Sequence, residues 1–166
     1  MTPHNMIVDT PLGPVRIQGT DSAVTHLAFM APNTPDDAQA GRMSAPVAEA
    51  ARQLEAYFAG RRDAFDLPLA PDGTVFQKRV WRTLCEIPNQ QTRTYGDIAK
   101  MLGQPGASRA VGLANARNPI AVVIPCHRVI GANDRLTGYA GGMTRKIWLL
   151  THEGHRVDAS RQRLAR

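Results

Sequence analysis

The sequence predicts two domains: an α/β domain over residues 1–72 and a mostly α domain over residues 73–166 that carries a helix-turn-helix. Three observations lead there. Apolar and polar residues alternate along Gly13–Gly19 and again along Ala23–Phe29, the period-2 pattern of a half-buried hairpin. Past Gly73 the period becomes helical, with Val75, Phe76, Val80, Leu84 and Ile87 recurring at helical spacing. The charge breaks at the same place. Residues 1–72 hold five Lys and Arg against nine Asp and Glu, a net of −4, whereas residues 73–166 hold fifteen against five, a net of +10.

In chain order, the hairpin is followed by a Pro-, Asp- and Ala-rich stretch from Ala31 to Ser44 that reads as loop. Ser44 can N-cap a helix over Ala45–Ala59 that Gly60 stops, with Leu54, Tyr57 and Phe58 as its apolar stripe. Pro71-Asp72-Gly73 is a turn and the domain boundary. Thr94-Tyr95-Gly96-Asp97 has the form of a capping box and starts a short helix through Leu102, stopped by Gly103. Pro105-Gly106 turns the chain into a second helix, Ser108–Asn115, which completes the helix-turn-helix. Thr144 can cap a last helix running through Glu153. The arginine-bearing tail over residues 155–166 has little to bury and is expected to fray.

Composition narrows the function. With 166 residues the chain has ample material for a core. No run of eighteen apolar residues is present, so no membrane span is expected, and the N-terminus lacks the basic and apolar segments of a secretory leader. The two cysteines are Cys85, read as helix core, and Cys126. Reduced thiols and a cytoplasmic location follow. Two cysteines make no Cys-rich zinc site, and neither a metal nor another cofactor is expected. The positive field of the C-terminal half suits a polyanion, since each Lys or Arg meeting a phosphate releases a counterion. A merely solvated basic face fits the same count.

The chemistry concentrates at Ile124-Pro125-Cys126-His127-Arg128-Val129, where a thiol and an imidazole follow the apolar run Ile120–Ile124. A thiol attacks as thiolate, and a neighbouring imidazole can lower its pKa from about 8.5. On a straight strand adjacent side chains point to opposite faces, so His127 can serve Cys126 only from a turn or through a water. Alone, the dipeptide also fits a buried structural cysteine. In the helix-turn-helix, Ala107, Ala110, Gly112, Ala114 and Ala116 are small and leave Arg109 as the dominant long side chain. Such a helix either packs tightly in a core or approaches a nucleic acid closely. Taken alone, Tyr95 reads as a half-buried aromatic at a helix start, and Lys146 with Glu153 as a surface pair two turns apart.

Asn118-Pro119 ahead of the apolar run, the intact segment Pro125-Cys126-His127-Arg128-Val129, and Thr137-Gly138-Tyr139-Ala140-Gly141-Gly142 after it closely resemble the O6-alkylguanine-DNA alkyltransferases, with strong motifs from about Thr74 to Gly154. The resemblance implies a ribonuclease-H-like N-terminal domain. It also implies a self-inactivating transfer of the alkyl group from O6-alkylguanine, with O4-alkylthymine left open, onto Cys126. His127 would be the base acting through water, Glu153 would orient it, and Asn118 would brace the turn. Tyr95, Val129, Tyr139, Ala140 and Lys146 would form the base pocket, with Lys146 supporting the acceptor loop. Ala140 stands where some relatives have serine, which bears on pocket width. The implied DNA-facing residues are Tyr95, Gly96, Ser108, Arg109 and Gly112. Arg109 would fill the stack left by the flipped nucleotide, and the recognition helix would lie in the minor groove of alkylated duplex DNA. The implied protein is a monomer, with cooperative assembly on DNA left open. Two rival readings remain. A lesion-binding relative that does not repair is disfavoured by the presence of Cys126, and a Cys-His hydrolase would need an acyl pocket and turnover.

Overall fold

The computed structural model describes residues 4–31 and 44–165, so most of the expected loop between Ala31 and Ser44 lies outside the described residues. Two compact units are present. One holds the chain up to Asp72 together with Pro119–Ala121, and the other holds Gly73–Asn118 and the chain from Val122 on.

In the first unit, β1 (His4–Thr10), β2 (Gly13–Gly19) and β3 (Val24–Phe29) form an antiparallel sheet in that order. Val15 and Ile17 are buried in alternation along β2, whereas Val24 and Leu27 on β3 are both buried although three residues apart, the period being broken opposite the bulge at Gln18–Gly19. The hairpin expected from the sequence is β2–β3. β1 was not anticipated, and it pairs with β2 along its whole length. Helix α1 (Ala45–Phe58) starts where Ser44 Oγ accepts from the Val47 amide at 3.3 Å, and it ends before Gly60, whose φ is 75°. Its buried Gln53 exchanges two hydrogen bonds of 2.9 Å with the backbone of Asp66, pinning the following segment to the helix. The free edge of β3 is covered twice. The Val24 amide donates to Pro68 O at 2.8 Å, and the Leu27 amide donates to Pro119 O at 2.9 Å.

Gly19, at the bulge of β2, has no room for a side chain: a Cβ there would lie 2.5 Å from Ala23 O and 2.9 Å from Val47 Cγ2. Backbone cannot yield as a side-chain tip can. Gly19→Ala is therefore expected to cost about 1–3 kcal/mol, read as a lower urea midpoint.

The second unit is built from α2 (Val75–Leu84), β4 (Arg93–Thr94), α3 (Tyr95–Met101), α4 (Ser108–Ala116), β5 (Val129–Ile130), α5 (Met143–His152), β6 (Val157–Asp158) and β7 (Arg163–Leu164). Both α2 and α3 begin with complete capping boxes, Thr74 with Gln77 and Thr94 with Asp97. Trp81 Nε1 donates to Ala114 O at 2.9 Å and ties α2 to α4, while Arg79 donates to Leu102 O at 3.1 Å and caps α3. The parallel pairing of β4 with β5 sets Arg93 opposite Val129 and Thr94 opposite Ile130. This short ladder joins the start of the helix-turn-helix to the segment that follows Cys126.

Three expectations are corrected. Helix α5 begins at Met143 behind Gly142, whose φ of 94° turns the chain into the helix, so Thr144 sits inside it and caps nothing. Cys85 is the exposed C-cap of α2 rather than core, because the helix ends at Leu84 and its apolar face ends with it. The tail is not frayed over its described length. β6 and β7 form a hairpin with Val157 opposite Leu164, and both side chains pack on the cluster of Ile130, Leu136 and Leu150. Its arginines hid a cross-strand apolar pair. No helix among the described residues is long and apolar enough to cross a membrane.

Candidate active site

Cys126 stands on a turn, not a strand. The chain leaves the β3 edge and reverses at Val122, a buried β-branched residue with φ of 69°, a conformation that costs energy and persists where the surroundings enforce it. At Pro125 (φ −81°, ψ 63°) it makes an inverse γ-turn, with the Cys126 amide donating to Ile124 O at 2.8 Å. A single 3-10 turn, Cys126–Arg128, follows. Two asparagines hold this turn. Asn118 Nδ2 donates to Ile124 O at 2.8 Å and Asn115 Nδ2 to Cys126 O at 3.3 Å, the latter from the buried face of α4. Cys126 is only 3% exposed.

Behind it lies a buried polar network. His127, fully buried, bonds through Nε2 to Glu153 Oε2 at 2.8 Å. The same carboxylate accepts two bonds from Arg128, Nε to Oε1 at 2.7 Å and Nη2 to Oε2 at 3.0 Å, and Arg128 Nη1 donates to Ile87 O at 2.7 Å. Glu153 is the C-cap of α5. One helical face therefore delivers both Glu153 and Lys146, but not as a surface pair: Lys146 is fully buried, and its Nζ donates to Val129 O at 2.6 Å and Thr137 O at 3.0 Å.

These surroundings set the protonation states. A carboxylate can only accept, so His127 Nε2 carries the hydrogen and Nδ1 holds the lone pair. Nδ1 is buried with no hydrogen-bond partner. Burial lowers the His127 pKa despite the pull of Glu153, so the ring is neutral at pH 7. Burial also opposes charge on Glu153, but the hydrogen bonds from His127 and Arg128 and the positive charge of Arg128 outweigh it and hold the carboxyl well below its ordinary value. Burial pushes the Cys126 thiol up, with the Asn118 side chain and the Lys146 charge pulling the other way. Burial brings Lys146 down to about 8, and the proximity of Cys126 raises it against that trend. Tyr139 is raised well above 10 by burial and by the neighbouring thiol. The resting pair is thus a neutral thiol and a neutral imidazole.

Of the remaining expected site residues, Tyr95 and Gly96 lie on α3 and Ser108, Arg109 and Gly112 on α4. Tyr95 is the first residue of α3; its hydroxyl accepts from Thr137 Oγ1 at 2.9 Å, and its ring lies 3.8 Å from where a Cβ on Gly112 would stand. Ser108 opens α4, with its Oγ 3.8 Å from the Cβ position of Gly96. Arg109 is exposed on the first turn of α4, and Leu113 on the same helix is 64% exposed. Val129 is buried and gives its carbonyl to Lys146, while Ala140 is exposed. Arg128, Asn115 and Thr137 were not singled out from sequence. Arg128 sits inside the quoted motif, but a lone arginine gives no sign of burial until its carboxylate partner is known.

Two family models match the chain: "6-O-methylguanine DNA methyltransferase, ribonuclease-like domain" over residues 5–71, and "6-O-methylguanine DNA methyltransferase, DNA binding domain" over residues 75–155. A methylated-DNA–protein-cysteine methyltransferase of Methanosarcina barkeri is 52% identical, over 89% of this chain and 94% of its own. The crystal structure of the Mycobacterium tuberculosis O6-methylguanine methyltransferase superposes with a TM-score of 0.82 at 45% identity, covering 95% of this chain and 96% of that one. A crystal structure described as Mycobacterium tuberculosis OGT in complex with DNA superposes with a TM-score of 0.80 at 46% identity, over 90% and 92%. With both of its domains matched and relatives this similar along almost their whole length, the chain belongs to the 6-O-methylguanine DNA methyltransferase family.

Proposed function

We propose that Cys126 is the acceptor in a direct reversal of DNA alkylation, with the alkyl group passing from O6 of a flipped guanine to Sγ. The chain binds DNA and transfers methyl groups from it to its own cysteine; what is proposed is which residues do so and how. The observation that carries the reading is the buried Cys126 followed by a neutral His127 whose other nitrogen is fixed on Glu153.

The step balances simply. The thiol proton passes through a water to His127 Nδ1, and the thiolate attacks the alkyl carbon. The S–C bond forms as the C–O bond breaks and the electron pair stays on the guanine; the imidazolium returns its proton to water as the guanine ring takes one from water, so no net proton is gained or lost. Glu153 fixes the tautomer that leaves Nδ1 basic and stabilises the imidazolium as it forms. Lys146 and Asn118 favour the thiolate over the thiol. Tyr95 donates to the departing base, Tyr139 walls the pocket, and the backbone of Val129 and Ala140 reads the guanine edge. The alkyl carbon cannot meet Sγ while the base is stacked, so the nucleotide must rotate out, at a cost of a few kcal/mol. Arg109, exposed on the first turn of α4, fills the gap, while Ser108, Gly96 and Gly112 let the backbone approach the minor groove. The protein acts as a monomer and, with both thiols free, in the cytoplasm. A thioether has no good leaving group, so each chain reacts once.

The test is single-turnover transfer from an O6-methylguanine duplex as a function of pH. One methyl per chain with no second turnover is expected. The working form of His127 is neutral and its pKa lies below 6.5, so the rate should hold as the pH falls to 6.5 and decline only beneath it. A rate that fell instead as the pH rose past neutrality would indicate a resting thiolate–imidazolium pair and contradict the general-base scheme.

A further inference from the structure

We infer that Thr137 is a positioning residue for transfer: its hydroxyl donates to the Tyr95 oxygen and leaves the phenol's own hydrogen free to point at the flipped base. The inference rests on Tyr95 acting as a donor to that base.

Three contacts fix the direction of the Thr137 hydroxyl. Its Oγ1 lies 2.9 Å from Tyr95 Oη and donates to it. Its carbonyl is held by the buried ammonium of Lys146 at 3.0 Å. Its methyl, Cγ2, occupies the space a side chain on Gly131 would need, 3.0 Å from the Cβ position there. Gly131 has φ of −78°, which any residue adopts, so the glycine is required by room and not by conformation. A β-branched side chain has few rotamers. With the methyl seated over Gly131, the hydroxyl is left facing Tyr95. A phenol has one hydrogen to give. When its oxygen already accepts a bond, that hydrogen cannot turn back to Thr137, and the O–H is strengthened as a donor by roughly 10–30%. This is the group that meets the negative charge developing on the leaving purine. No bond is made or broken at Thr137. The acceptor loop thereby sets the polarity of a residue on the helix-turn-helix.

The experiment measures single-turnover methyl transfer at saturating O6-methylguanine duplex, so that the rate reads chemistry and not binding. Four variants are compared: Tyr95→Phe, Thr137→Val, the two combined, and Thr137→Ser. Thr137→Val keeps the shape and loses the donor, and a roughly tenfold slower transfer is expected, the scale of one lost hydrogen bond. Thr137→Ser, which keeps the donor, should recover most of the rate. In the Tyr95→Phe background Thr137→Val should change nothing further. Gly131→Ala, which displaces the methyl, should slow transfer as Thr137→Val does. If Tyr95→Phe is slow while Thr137→Val transfers at the normal rate, or if the two losses multiply, the inference is overturned and the reading of Tyr95 survives. If Tyr95→Phe itself transfers normally, the reading of Tyr95 fails and the inference with it.

Discussion

Glu153→Gln is expected to cost the C-terminal unit about 3–5 kcal/mol and to slow transfer as well. The carboxylate is 3% exposed and is the shared partner of two basic side chains, His127 at 2.8 Å and Arg128 at 2.7 and 3.0 Å. Glutamine preserves the shape but leaves the Arg128 guanidinium buried without a counter-charge. It can also present its amide to Nε2 and release the tautomer that makes Nδ1 basic. The pH dependence of stability reads the carboxylate itself. A carboxylate whose folded pKa lies below its unfolded value of 4.5 contributes stability that is complete above 4.5 and is lost as the pH falls toward the folded value. The parent protein should therefore destabilise on acidification below 4.5 more steeply than Glu153→Gln, in urea melts run across that range. A variant as stable as the parent at neutral pH would show that Arg128 is held by its bond to Ile87 O alone.

Cys126→Ala is expected to abolish transfer while leaving both the fold and duplex affinity in place. The side chain is small and its backbone is held independently, by the amide bond to Ile124 O and the Asn115 bond to its carbonyl. Removing a buried thiol should cost about 1 kcal/mol, a fall of about 2–4 °C in the melting midpoint. Such a variant would bind lesion DNA without repairing it, which is the behaviour of the non-catalytic rival. The comparison isolates one sulfur atom as the difference between the two classes. Residual transfer in Cys126→Ala would point to Cys85, the other free thiol, which is exposed at the end of α2.

Legibility in the sequence followed the range of the interactions. The Ser44 cap and the Thr94–Asp97 box are local, three residues across, and stand where the pattern puts them. The β2–β3 hairpin is carried by alternation across a short turn. What the sequence hid is what depends on distant partners. β1 has an unremarkable apolar run whose meaning comes from pairing with β2. The tail reads as charged and unburied because Val157 and Leu164 become a core pair only once the hairpin closes. Lys146 looked like a surface cation because nothing in its neighbourhood shows that Val129 and Thr137 turn their carbonyls toward it. Arg128, read past in the motif, acquires its weight from Glu153, 25 residues on. Thr137 reads only as part of a motif, because its bond to Tyr95 spans 42 residues.

The central claim, that Cys126 itself receives the alkyl group, is tested most directly by mass spectrometry of the protein after incubation with an O6-methylguanine duplex. The expected result is a whole-chain mass greater by one methyl in place of one hydrogen, reached at one lesion per chain and mapped to the peptide containing Cys126. An unchanged mass with the lesion consumed, continued turnover beyond one lesion per chain, or a methyl found on the Cys85 peptide would contradict it.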